Sequence, residues 1–190
     1  MSNSVSKKLA HVKELINEGK MEEVLQRIEH IEQNKSLTPK ESLETRRYKG
    51  FIALGLGQLD NALKIAEDLH QKSQKLEMPL YSLDALSIKQ WIFFLHLNLE
   101  EWYKNYQQSV KLFSSIPREE SPEFQQREGH LFSNIAFANY IEGNFDLALD
   151  YGNKSLKLIE QVDPHSYLIP KILSQIAQAY GAKGEPKIAI

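Results

Sequence analysis

Cysteine is absent from the 190 residues of the chain. This excludes disulfide bonds, thiolate zinc sites and a cysteine nucleophile, and it fits a reducing compartment, so we expect a cytoplasmic protein. Long apolar runs are also lacking, because the most apolar stretch, 91–99 (WIFFLHLNL), is far shorter than the roughly 20 residues that span a bilayer. The apolar residues of segment 1–16 recur at helical spacing and do not form the block of a secretory signal.

An excess of one charge is missing as well. The formal net charge is -2 and the sequence pI is about 6.3, so no overall field attracts nucleic acid or an anionic membrane. The pairs Lys7-Lys8 and Arg46-Arg47 are too few to make a basic face, and the N-terminal segment does not resemble a helix-turn-helix module. We therefore predict no nucleic-acid partner and no membrane partner.

Catalytic and ligand-binding motifs are lacking too. Gly55-Leu56-Gly57 has no continuation typical of a phosphate-binding loop, and no Gly-x-Ser-x-Gly elbow occurs. No histidine has another histidine three or four residues away, the spacing that places two metal ligands on one helix face. The histidines are His11, His30, His70, His96, His130 and His165. The three paired glutamates, at 22–23, 100–101 and 119–120, precede or begin predicted helices, where they complement the helix dipole. We expect no metal, no cofactor and no enzymatic activity.

A repeat is present instead. The segments GQLDNAL (57–63) and GNFDLAL (143–149) share four residues, and GKMEEVL (19–25) and GEPKIAI (184–190) fit the same frame. The first two segments are offset by 86 residues, which equals two units of 43. This predicts a further unit between residues 80 and 120 that has lost its glycine. Periods of this length are typical of solenoids, in which each unit buries its apolar face against its neighbours.

Each unit is predicted to contain two helices. Apolar residues recur every three or four positions on both sides of each glycine, and no stretch shows the alternation of an exposed strand. Glycine allows the positive φ that ends a helix, and asparagine or aspartate caps the next one. Thr38, Pro39 and Glu41 together predict a helix start. The fold class is all-α.

The units resemble the tetratricopeptide repeat (TPR) family. Its small helix-A residues correspond to Gly50, Ala136 and Ala177, and its helix-B alanines lie 12 residues later, at 62, 148 and 189. The period is longer than the family's usual one, as in kinesin light chain repeats. The resemblance implies one right-handed α-α superhelix over residues 1–190, with about 4.5–5 helical hairpins. Its approximate units are 4–36, 38–77, 79–116, 121–162 and an incomplete 165–190.

The resemblance also implies a non-enzymatic protein-binding scaffold, whose concave groove receives a peptide or a helix. Family positions five, six and nine of helix A would line that groove, and the third unit has an uncertain register. The groove residues are then Arg47, Tyr48, Phe51, Gln90, Trp91, Phe94, Asn134, Phe137, Gln175 and Gln178. Packing of the aromatic side chains between neighbouring repeats is the alternative interpretation.

The family's carboxylate clamp, which holds a chaperone's C-terminal acid, is not supported. Asn134 and Lys171 match two clamp positions, but Gln90 and Gln175 stand where charged residues are required. Two further hypotheses remain open. The first is that the chain is the N-terminal regulatory or sensory arm of a larger signalling protein or enzyme. The second is that the chain self-associates through its uncapped C-terminal half-repeat, which would leave apolar surface exposed. We also expect residues 1–190 to be a piece of a longer repeat protein.

Overall fold

A computed structural model describes residues 2–33, 37–166 and 168–184. These residues form nine helices and no strand, which confirms the all-α prediction. The helices are α1 (Ser2–Asn17), α2 (Met21–Glu32), α3 (Pro39–Gly55), α4 (Leu59–Lys75), α5 (Pro79–Leu95), α6 (Leu99–Ser115), α7 (Pro122–Ile141), α8 (Phe145–Val162) and α9 (Leu168–Lys183). The predicted helix-B alanine Ala189 lies, with the rest of segment 185–190 of the C-terminal half-repeat, outside the described residues.

The chain divides into two compact units, Met1–Ile116 and Pro117–Ile190. In the first unit, the three hairpins α1/α2, α3/α4 and α5/α6 pack in chain order; in the second, α7 packs against α8, and α9 contacts both. We call the first helix of each hairpin helix A (α1, α3, α5, α7 and, by its place in the repeat, α9) and the second helix B (α2, α4, α6, α8). The arrangement of all units as one domain stays a prediction.

Local chemistry sets several helix starts. The Thr38 hydroxyl accepts a hydrogen bond from the Glu41 N–H at 3.2 Å, and the Glu41 carboxylate accepts one from the Thr38 N–H at 2.8 Å, so the predicted capping box begins α3. The Asn98 side chain likewise accepts from the Glu101 N–H at 3.2 Å. Asn144, by contrast, makes no capping hydrogen bond at the start of α8. The prediction that asparagine or aspartate caps the helix after a turn glycine is therefore wrong at α8.

The turn inside the third hairpin corrects its predicted register. Gly57, Gly143 and Gly184 all have φ between +71° and +84°, and the equivalent residue between α5 and α6 is Leu97, with φ +56°. The missing glycine is thus replaced by leucine at the same place in the repeat. Counting back from this turn residue aligns α5 with the other A helices without ambiguity.

Small residues allow the helices to approach closely. A Cβ atom added at Gly50 in α3 would lie 2.7 Å from Cδ1 of Ile88 in α5 and 3.4 Å from Cγ2 of Ile65 in α4. The closest neighbour of this position is therefore the A helix of the next repeat. Helix B of the same repeat is the second neighbour.

None of the described helices is both long enough and apolar enough to cross a membrane.

Candidate functional site

One position of helix A carries an aromatic side chain in three hairpins. It lies six residues before the turn residue, and it is occupied by Phe51, Trp91, Phe137 and Gln178. The three aromatic side chains are half-buried and Gln178 is exposed. We call these four residues the position-nine row. The corrected register places Trp91 in this row, where the sequence had assigned it to position six and Phe94 to position nine.

Trp91 and Phe94 form an aromatic pair on α5. Their ring centroids lie 6.0 Å apart with an angle of 88° between the rings, an edge-to-face arrangement. Both side chains keep part of their surface exposed. On α3, Phe51 packs against the buried cluster that includes Ala53 and Ile92. The aromatic residues of the first unit therefore contribute to packing while still presenting surface.

Arg47 belongs to a buried ion pair. Its Nη2 donates to Glu44 Oε1 at 2.7 Å, its Nε lies 3.9 Å from Asp84 Oδ2 in α5, and its guanidinium lies 4.4 Å from the centre of the Tyr48 ring. Burial by itself lowers the pKa of Arg47, but Glu44 and Asp84 outweigh it, so the pKa lies above its usual value. Burial also raises the pKa of Tyr48. Arg47 and Tyr48 therefore hold α3 in place and offer little surface to a ligand.

Gln90 is not available to a groove ligand, which corrects its predicted role. Its side chain is 2% exposed, and its Nε2 donates to Ser109 Oγ of α6 at 2.8 Å. It lies seven residues before Leu97, the place that Gly50 occupies in the preceding repeat. Gln90 therefore joins helix A to helix B inside the third hairpin.

The second unit presents polar side chains on its A helices. Ser133 Oγ of α7 donates to Gln175 Oε1 of α9 at 2.7 Å, and Gln178 Nε2 donates to Ser174 Oγ at 3.2 Å. Asn134 and Gln175 are half-buried. The Phe137 ring stacks at 6.5 Å and 22° on Tyr140. Amide and aromatic groups thus share this surface of the second unit.

Lys171, the predicted clamp lysine, differs from an ordinary surface lysine. It keeps some exposed surface, yet burial lowers its pKa to about 7. A clamp needs a permanent cation, and Lys171 carries only part of a charge at neutral pH. The arrangement around α9 therefore gives no support to the carboxylate clamp.

The true register of the third hairpin had a signal in the sequence. Leu97-Asn98-Leu99-Glu100 parallels Gly143-Asn144-Phe145-Asp146 in every property except the glycine. A turn residue, an asparagine, an apolar residue and an acid follow one another in both segments. The match is not obvious from the sequence because leucine stands where the other turns have glycine, and leucine is rare at positive φ.

Within residues 2–33, 37–166 and 168–184, no three histidine or carboxylate side chains come together in a way that could hold a metal ion.

Comparison with known proteins shows the fold. The sequence matches no protein-family model and no curated protein. The structure is similar to that of BtubC (BKLC) from P. vanneervenii, with TM-score 0.58 and 12% identity over 98% of this chain and 84% of that chain. It is also similar to the nearly identical TPR-like repeats of a candidate kinesin light chain from Podosopora anserina, with TM-score 0.57 and 15% identity over 100% of this chain and 91% of that chain. The fold is therefore TPR-like, as the sequence predicted.

Proposed function

We propose that the protein is a non-enzymatic protein-interaction module whose A helices bind a peptide or a helix of a partner protein. The observation that carries this proposal is the position-nine row, in which α3, α5 and α7 each place a half-buried aromatic side chain at the same position, whereas α1 has Lys13 there and α9 has Gln178. A residue needed only for packing can vary in type from repeat to repeat. A recurring aromatic residue with exposed surface favours contact with a ligand.

The chemistry of the A helices suits a polypeptide ligand. Aromatic rings such as Trp91 and Phe137 contribute large apolar contact area at low cost in side-chain entropy, and they dominate the energetics of many interfaces. Asn134, Gln175 and Gln178 carry amide groups that both donate and accept hydrogen bonds, as a peptide backbone requires. The aromatic residues would supply affinity and the amides would fix register.

The corrected set of ligand-contacting residues is smaller than the sequence predicted. In the first unit it comprises Phe51, Trp91 and Phe94, with Arg47 and Tyr48 as supports of α3. Gln90 is left out because it is buried. In the second unit the set comprises Asn134, Phe137, Gln175 and Gln178.

Selection of peptides followed by fluorescence tests the proposal. A random peptide library is selected against the whole chain, and binding is measured by fluorescence polarisation. The chain has two tryptophans, so a Trp102→Phe variant leaves Trp91 as the only tryptophan reporter. We expect selected peptides to shift the Trp91 emission, and we expect Trp91→Ala and Phe137→Ala each to weaken binding about tenfold or more.

Tyr103→Ala is the matched control, because Tyr103 is an aromatic residue of helix B that is 40% exposed. This variant should leave affinity unchanged, and circular dichroism should show that all variants keep their helical content. If no peptide is selected, or if Tyr103→Ala weakens binding as much as Trp91→Ala, the proposal is wrong. Arg47→Ala is unsuitable, since it would leave Asp84 buried without its cation and would reduce stability.

A further inference from the structure

A pocket of about 400 Å³ lies in the first unit among α4, α5 and α6. Its walls are the two B helices α4 and α6, which each pack against α5 and have few or no Cα atoms within 8 Å of each other. The gap between them is therefore closed on one side by α5 and open on the other. Its volume falls in the range of small-molecule sites, roughly 300–1,000 Å³.

The pocket has an apolar floor and polar walls. Leu86 of α5, which is 2% exposed, lines it together with Leu112 of α6. The remaining lining side chains are polar. They are His70 and Gln74 of α4 and Gln108, Lys111 and Ser115 of α6.

Most of these polar groups have no hydrogen-bond partner within the described part of the protein, and Gln74, Gln108 and Lys111 are exposed at the rim of the pocket. Within the part of the chain that the structure describes, the side chains of Gln74, Gln108 and Lys111 form no hydrogen bond or ion pair, and the buried Nδ1 of His70 has no partner. Ser115 is the exception, since its hydroxyl donates to the Leu112 carbonyl at 2.6 Å. Four polar side chains thus border one pocket without satisfying one another.

The electrostatics favour an anion with a single charge. Lys111 is the only cationic side chain in the lining, and no carboxylate lines the pocket. Burial and then the nearby charge of Lys89 lower the pKa of His70, which disfavours a second positive charge at the pocket. A dianion such as a phosphate monoester would lack a second cation, whereas a carboxylate is matched by one lysine and neutral donors.

We propose that this pocket binds a small organic monocarboxylate with a compact apolar body. The carboxylate would pair with Lys111 and accept hydrogen bonds from the amides of Gln74 and Gln108. The apolar body would lie on Leu86 and Leu112. This site is formed by helices α4 and α6 above α5, so it is separate from the position-nine row and independent of the proposed peptide binding.

Titration with a matched pair of ligands tests the charge requirement. 3-Phenylpropionate and its neutral amide are added to the whole isotope-labelled protein, and ¹H–¹⁵N spectra are recorded. We expect the acid to shift the side-chain amide signals of Gln74 and Gln108 and the backbone signal of Leu86 in a saturable way. The amide should bind about tenfold more weakly, because it cannot pair with Lys111.

A pair of charge variants tests the residue. Lys111→Gln should weaken acid binding about tenfold and leave the amide unaffected. Lys64→Gln is the control, since Lys64 is an exposed lysine of α4 outside the pocket and its removal changes the net charge equally. Equal binding of acid and amide, equal weakening by both variants, or an absence of saturable shifts at the pocket would overturn the proposal.

Discussion

Leu97 has a backbone conformation that glycine adopts at the same place in the turns of the other repeats. Its φ is +56° and its side chain is 82% exposed. For a residue with a Cβ atom, the left-handed region costs roughly 1–2 kcal/mol. Because the Leu97 side chain is so exposed, its packing offsets little of this backbone cost. The local turn is therefore less stable than it would be with glycine, and the hydrogen bonds of the flanking helices maintain it.

Leu97→Gly should raise the free energy of unfolding by about 1 kcal/mol, because glycine adopts positive φ without steric cost. Urea unfolding followed by circular dichroism measures the change. Leu95→Gly is the matched control, since Leu95 is the last residue of α5 and 51% exposed, and glycine there should lower stability. Loss of stability in Leu97→Gly would mean that the leucine side chain makes contacts that offset its backbone cost.

At the scale of helices, Gly129 marks a close approach of two helices in the second unit. A Cβ atom at Gly129 in α7 would lie 2.8 Å from Cδ1 and 2.9 Å from Cγ1 of Ile159 in α8. The Ser155 hydroxyl of α8 also donates to the Gly129 carbonyl at 2.7 Å. Ile159 is fully buried, so it has little room to move away. Gly129 is thus a requirement of packing and not of backbone conformation.

Gly129→Ala should lower the free energy of unfolding by about 2 kcal/mol, because the clash with Ile159 outweighs the roughly 1 kcal/mol that alanine gains in a helix. Thermal unfolding measures the effect. Gly181→Ala in α9 serves as the control, since a Cβ there would meet no atom within 4 Å, and this variant should be more stable than the wild type. A neutral Gly129→Ala would show that α7 and α8 can separate slightly without loss.

How far the sequence predicted the candidate site differs from one residue to another. Phe51 and Phe137 could be assigned to their repeat positions because the turn glycine six residues after each of them, Gly57 and Gly143, fixed the register of their repeats. Trp91 was assigned to a neighbouring position because Leu97 hid the turn. Gln90 could not be placed at all from one sequence, since its burial depends on Ser109 in the next helix, which accepts its hydrogen bond.

At the scale of the whole molecule, the charge balance is near neutral, so individual buried charges determine how stability varies with pH. Lys171 is the clearest case, because burial lowers its pKa to about 7, whereas an unfolded lysine has a pKa of about 10.4. Between these two values the unfolded chain holds a proton that the folded chain does not. The free energy of unfolding of the second unit therefore increases with pH in this range.

We expect the stability of α8 and α9, measured by amide hydrogen exchange or thermal unfolding, to increase from pH 7 to pH 9.5. Lys171→Met should remove this increase and stabilise the second unit by up to about 4 kcal/mol at pH 7, because it removes the cost of burying the ammonium group. Lys157→Met is the control, since Lys157 is an exposed lysine of α8, and it should leave the pH dependence unchanged. An unchanged slope in Lys171→Met would assign the pH dependence to other groups.

The sequence by itself determined the hairpin repeat and most helix ends, because these depend on neighbouring residues. Glycine at positive φ, the capping box of Thr38 and Glu41, and proline at the first helical position all act within a few residues of chain. Only the tertiary structure decided which side chains of an A helix are buried against another helix and which keep exposed surface. Arg47 and Gln90 are buried because Asp84 and Ser109, on other helices, provide their partners. The pocket between α4 and α6 also depends on the tertiary structure, since its walls come from two helices that both pack on α5.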